Sequence, residues 1–210
     1  MRLNYEQALS IIHPKYKEPW RVYHTWEHIE DGFVYIEEFV DGQVDTDIFD
    51  ALNRNLNIFN LAWMMHDVIY VPKNPYNELA SAMTFSKVAF HLDPLVDSNS
   101  LDLGHDLIMC TKNHFPNEEG SKDLYLLSKL ICDIDLAGFS TQHDKNKRNV
   151  YEEFKGFLQL PDFDEQWRTG QTVFLQSLLD RERIFHTEYF YKIHEENARK
   201  NIQSEIDSYK

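Results

Sequence analysis

The stretch LAWMMHDVIYVP at 61–72 constrains the fold more than any other part of the chain. Leu61, Trp63, Met64, Met65, Val68 and Ile69 leave it apolar on every side. In a water-soluble protein, a helix apolar all round is a central one. Yet His66 and Asp67 sit side by side inside it. Burying an imidazole and a carboxylate costs several kcal/mol unless something pairs with them. Either they satisfy each other and nearby backbone groups, or a bound cation does it.

Around this centre the spacing is helical. Helices are expected over 5–12, stopped before Pro14, and over about 26–40, where Ile29, Phe33, Ile36, Phe39 and Val40 recur at three and four until Asp41-Gly42. The central run extends the pattern over 47–70, up to the breaks at Pro72 and Pro75. Helix resumes from Asn77-Glu78 to about His91, then from Leu101 to Asn113 after a DPLVDSNS loop. The segment 122–137 turns Leu124, Leu127, Leu130 and Ile131 inward, and further helices are expected over 146–158, 164–180 and 187–208. The polar run TQHDKNKRN (141–149) reads as solvated. No period-2 strand, repeat or linker interrupts the pattern. The expected architecture is all-α, a single domain over 1–210, with a core at about 20–140 and a C-terminal helical extension at about 141–210.

With 210 residues, 42% hydrophobic and 14% aromatic, the chain can bury one sizeable core. Its formal net charge of −14 repels nucleic-acid polymers and anionic membranes at long range. A small phosphorylated ligand is compatible, because a local cation can invert the field at one site. Cys110 and Cys132 lie among apolar residues without CxxC spacing, which reads as two free thiols in a reducing compartment. The first twenty residues lack the apolar stretch of a signal peptide, and no run approaches the roughly 20 residues of a membrane span. The expected location is cytoplasmic.

Three His-Asp pairs occur: His66-Asp67, His105-Asp106 and His143-Asp144. The last falls in the polar run, and the second opens an amphipathic helix where an Asp suits the macrodipole. Only the first lies in a helix that must be buried. Candidate partners come from three other places: His24 and His28 in RVYHTWEHIE, His114 in IMCTKNHF, and Asp133 and Asp135 in SKLICDIDLAG. If both are helical, His24 and His28 share one face. Lys112, two residues before His114, is the cation closest in sequence to any of these candidates. Buried charges are paired or bound to metal, so a metal ion is the economical answer. No GxxxxGK[ST], GxGxxG or GxSxG signature competes with it.

The order of these residues, His28, then His66-Asp67, then an Asp in DID, resembles the HD-domain superfamily of metal-dependent phosphohydrolases. The details are similar to one bacterial subgroup: YHTWEHI at 23–29, MHDVIY at 65–70, NELASA at 77–82, TKNH at 111–114 and DIDLAGF at 133–139. FLQSLLDRERIFHTEYF at 174–190 and ENARKNIQSEI at 196–206 extend the match over about 20–206.

The resemblance implies a helical bundle around one buried metal site, with His28, His66, Asp67 and one acid of Asp133 and Asp135 as ligands. Asp133, after the small Cys132, fits the family pattern slightly better. His24 then takes a substrate-binding or supporting role. Such an N/O donor set suits Mn, Fe, Co, Ni or Mg at least as well as Zn. The expected reaction is hydrolysis of a phosphoester or phosphoanhydride in a small metabolite, a nucleotide for preference, by a metal-activated water. Asp67 and Glu78 are the candidate catalytic carboxylates, with Glu78 orienting the water. Lys112, His114 and Arg148 are candidate cations for the phosphoryl group. The alternative is a non-catalytic module binding a metal or a nucleotide on the same scaffold. Within the enzyme class, His24 and His114 leave room for an oxygen-activating di-iron variant. The amphipathic tail at 187–208 offers a surface for a homodimer.

Overall fold

The computed structural model describes residues 4–42 and 45–210, and among these the chain is all-α. The helices are α1 (Tyr5–Ile12), α2 (Trp26–Gly42), α3 (Thr46–Met65), α4 (Asn77–Leu92), α5 (Ser98–Thr111) and α6 (Lys122–Leu136). They continue as α7 (Gly138–Thr141), α8 (His143–Leu158), α9 (Phe163–Leu179) and α10 (Glu188–Asp207).

The apolar run fixes the layout. Leu61 to Met65 are almost fully buried, and α3 packs against α5, α6 and α4. Leu127, Leu130 and Ile131 of α6 are fully buried in the same core, while α10 packs against α7 and α9. Trp63 donates its indole N–H to the Ile29 carbonyl at 2.9 Å, and its ring lies where a Cβ on Gly32 would stand. Only glycine admits an approach this close, and it brings α2 and the end of α3 into register.

Three boundaries differ from the sequence expectation. The central helix stops at Met65, not near residue 70. The reason is local: the His66 ring takes the Trp63 carbonyl through Nδ1 at 2.8 Å, a carbonyl that a continuing helix would give to the Asp67 amide. Part of the expected DPLVDSNS loop joins α5, because Asp97 caps it by accepting the Ser100 N–H at 2.9 Å. His105-Asp106 therefore lies within that helix instead of opening it. The polar run at 141–149 is mostly helical and only partly solvated: α8 begins at His143, whose side chain is 9% exposed against Glu205. Residues 43–44, just past the expected Asp41-Gly42 stop, lie outside the described residues.

No described helix is long and apolar enough to cross a membrane. Cys110 and Cys132 are free thiols, and burial pushes both of their pKa values up.

A candidate metal centre at the end of a cavity

The early end of α3 delivers His66 and Asp67 to one point. His66 must donate Nδ1–H to the Trp63 carbonyl, which leaves Nε2 as the working nitrogen. Trp63 stacks on the His66 ring at 4.4 Å between centroids and meets His28 edge-on at 5.4 Å. His28, in the first turn of α2, thus reaches the same point. The two Nε2 atoms are 3.3 Å apart. Asp67 Oδ2 lies 3.0 Å from His66 Nε2 and 4.0 Å from His28 Nε2. Asp135 Oδ1, from the last turn of α6, lies 3.2 Å from His28 Nε2 and 3.6 Å from His66 Nε2.

These separations fit a shared cation. Metal–ligand bonds of about 2.1 Å put neighbouring donor atoms roughly 3.0 Å apart at right angles and roughly 3.4 Å apart in a tetrahedron. The buried His28–His66–Asp67 group could hold a metal ion, and Asp135 stands beside it. The electrostatics agree. Burial opposes charge on His66, but the Asp67 and Asp135 carboxylates more than offset it and raise the ring well above its ordinary pKa. Burial likewise opposes charge on Asp67 and Asp135, and the surrounding histidines hold both well below the usual carboxylate range. The cluster is a place prepared for positive charge.

Asp133 is not part of it, which corrects the preference for that acid. Residues two apart on a helix point in nearly opposite directions. Asp133 faces the other side of α6, fully buried, and its two oxygens accept the backbone N–H groups of His186 (2.7 Å) and Thr187 (2.8 Å) ahead of α10. Burial pushes its pKa up to about 8, with the two amides pulling the other way.

Asp67 and Asp135, each 13% exposed, open onto a cavity of about 340 Å³. Four more of the expected site residues line it: His24, Glu78, Lys112 and His114. His114, in a left-handed conformation (φ 53°), sets Nε2 3.0 Å from Asp135 Oδ2, so it contacts the candidate ligand directly. Glu78 is half-buried at the start of α4; burial raises its pKa, and the nearby Asp67 charge adds to the shift. Lys112 donates Nζ–H to the Pro75 carbonyl at 3.0 Å on the rim. Arg148 is the second correction. It is exposed on α8 and lines a separate surface depression beside Trp167 and Arg168, while its neighbour Lys147 reaches the cavity.

His24 is not on α2, so it does not share a helical face with His28. It stands two residues before the helix, in a segment anchored from both sides. The buried guanidinium of Arg21 donates to the carbonyls of His24 (3.0 Å), Asp67 (2.8 Å) and Val68 (3.2 Å). From α8, Glu153 accepts the N–H groups of Val22, Tyr23 and His24 through Oε2 at 2.8–3.1 Å, and meets His24 Nδ1 through Oε1 at 2.6 Å. Tyr70 stacks on the His24 ring at 3.7 Å. Burial works against charge on His24, yet Glu153 more than offsets it and raises the ring's pKa. Burial also works against charge on Glu153, but His24 and the amides hold it down at about 2. Neither Arg21 nor Glu153 emerged from the sequence. One signal was present for Glu153: it is three residues after Val150 and four before Phe157, a charge set in the apolar stripe of α8.

The NELASA motif holds the loop after Asp67. The Asn77 side chain pairs with both the N–H and the C=O of Val71, and the Ser81 hydroxyl does the same for Ile69.

The site is thus a histidine–carboxylate cluster at a cavity whose walls also carry Glu78, Glu205, three further imidazoles and two lysines. Compared with protein-family models, with curated proteins and with solved structures, the chain finds no match in any of the three.

Proposed function

We propose that the protein is a metal-dependent phosphohydrolase acting on a small phosphorylated metabolite. The observation that carries this reading is the convergence of His28, His66, Asp67 and Asp135 at 3.0–4.0 Å on one open cavity. Its likeness in residue order to the HD-domain superfamily supports the same reading.

His28, His66, Asp67 and Asp135 hold the divalent metal. When bound, such an ion lowers the pKa of a coordinated water toward neutrality and polarises the phosphoryl group. Four protein donors suit an octahedral ion such as Mn²⁺, Fe²⁺, Co²⁺, Ni²⁺ or Mg²⁺, or Zn²⁺ with fewer of them. The chain supplies the rest. Glu78 takes the proton of the attacking water on its carboxylate, a role its raised pKa suits. His24, with Nδ1 committed to Glu153, offers Nε2–H to a phosphoryl or leaving-group oxygen. His114 fixes the Asp135 carboxylate through its outer oxygen, and Lys112 adds positive charge at the rim. The net charge of −14 keeps polymeric nucleic acid and anionic membranes out of the reading, and the cytoplasm is its setting.

The test is metal analysis and turnover on untagged wild type and His66→Ala in parallel. Wild type is expected to carry about one equivalent of metal and, with Mn²⁺ or Co²⁺, to hydrolyse a generic phosphomonoester. His66→Ala is expected to lose both. Hydrolysis surviving in His66→Ala sinks the proposal. Metal and ester bound together, with the ester recovered intact, would turn the site into a binding module.

A further inference from the structure

Beyond the cluster, the lining of the cavity changes to an apolar lobe. Its wall is Leu136 from α6, Phe139 from α7, Val150 and Phe154 from α8 and Phe174 from α9. Val150 and Phe154 sit four residues apart, so one face of α8 presents both. Phe139 and Phe174 stand with ring centroids 6.3 Å apart, and Trp167 backs Phe154 at 5.5 Å. Phe174 is 38% exposed and Phe139, Val150 and Phe154 are only half-buried, so each keeps apolar surface uncovered, and all four line the cavity.

The charges in the cavity are distributed unevenly. Four carboxylates line it (Asp67, Glu78, Asp135 and Glu205) against two lysines. Of those lysines, Lys112 is at the metal end. Lys147 alone serves the lobe, where it donates to the Ser208 hydroxyl at 3.1 Å and Glu205 faces His143 at 2.9 Å. A second or third phosphate entering this lobe would meet one lysine, Lys147, beside the Glu205 carboxylate. An apolar ring would find aromatic edges and faces to lie on. The volume of about 340 Å³ is at the small end for ligand pockets, enough for a phosphoryl group and one ring system.

We propose that this lobe is the subsite for the organic part of the substrate, and that the substrate class is a phosphate monoester of an apolar, ring-bearing alcohol. The inference rests on the phosphohydrolase reading for its chemistry. In the reaction the water oxygen bonds to phosphorus and its proton passes to Glu78. The phosphorus–oxygen ester bond breaks, and the alcohol leaves into the lobe with a proton from His24 Nε2. Inorganic phosphate departs from the metal end.

The experiment compares 1-naphthyl phosphate, glycerol 2-phosphate and inorganic pyrophosphate on the metal-loaded protein. Expected is a KM for naphthyl phosphate about ten-fold or more below that for glycerol phosphate, with pyrophosphate the poorest. Phe174→Ala is expected to shrink the ratio of the two ester KM values to within about two-fold, and Phe174→Leu to keep most of it. Because Phe174 is partly exposed, neither substitution removes core packing. Equal KM values in wild type, or a ratio untouched by Phe174→Ala, overturns the inference. Calorimetry with 1-naphthylphosphonate separates the two readings. If no ester turns over but the phosphonate binds and Phe174→Ala weakens it about ten-fold, the subsite stands and the hydrolase reading falls.

Discussion

Asp67 and Asp135 close one end of the cavity with their polar atoms engaged, while Phe174 at the other end leaves over a third of its surface with nothing on it. At the metal end each group is held by a second one. Trp63 fixes His66, His114 fixes Asp135, Glu153 fixes His24, and Arg21 ties the segment bearing His24 to the turn bearing Asp67. In the lobe, Phe139 meets Phe174 and Phe154 meets Trp167 through ring contacts, which hold no atom in a set direction. Chemistry that needs a ring nitrogen placed to a few tenths of an ångström requires such bracing. Apolar affinity is non-directional and does not. Under the proposed function, the difference assigns reaction to one end and selectivity to the other.

The contrast is sharpest on α6. Asp135→Ala should lower metal affinity by more than about 100-fold, since losing even a group behind a ligand costs about 10–100-fold; dialysis followed by elemental analysis reads this out. Asp133→Ala should leave metal content unchanged and lower stability by about 2–4 kcal/mol in urea unfolding, because two N–H groups lose their acceptor. If the two effects were swapped, the assignment of the acids would be wrong.

Next in size, Glu153→Gln should keep the metal but lower kcat/KM by about 10–100-fold, the usual cost of losing a group that orients a working histidine. An unchanged kcat/KM would make the His24 clamp purely structural.

The same pair sets a pH window. Glu153 is held down at about 2, so its contribution to stability is present above its unfolded pKa of about 4.3 and fades as pH falls toward 2. His24 is raised, so its contribution is present below about 6.5 and fades as pH climbs through its folded value. The stability gap between wild type and Glu153→Gln, followed by thermal unfolding, should therefore peak at about pH 5–6 and narrow on both sides. A gap that grows steadily in either direction would contradict the pairing. The smallest effect is expected from Arg148→Ala, which should alter KM for any substrate by less than about two-fold, as befits a side chain outside the cavity.

Much of this was legible in the sequence because it follows from burial. A helix apolar on every side had to be central, and the His-Asp pair inside it had to be neutralised. Periodicity placed most helices within a few residues. What remained hidden depended on direction. Nothing in SKLICDIDLAG says which acid faces the cavity, because both flank the same apolar residue and the phase of α6 is set by packing. Arg21 and Glu153 are separated by over a hundred residues, and the segment they grip is irregular, with no period to read. The polar 141–149 run looked solvated because its apolar partners, Val150 and Phe154, come after it in the chain.

Asp133 and Asp135 make α6 a two-sided rocker. One acid receives the start of α10, and the other, two residues on, faces the candidate metal. The segment leading into α10 is thereby tied to the same turn of α6 that carries Asp135. A chain cut before His186 would leave the buried Asp133 without both of its backbone donors, one turn from the acid that faces the histidine pair.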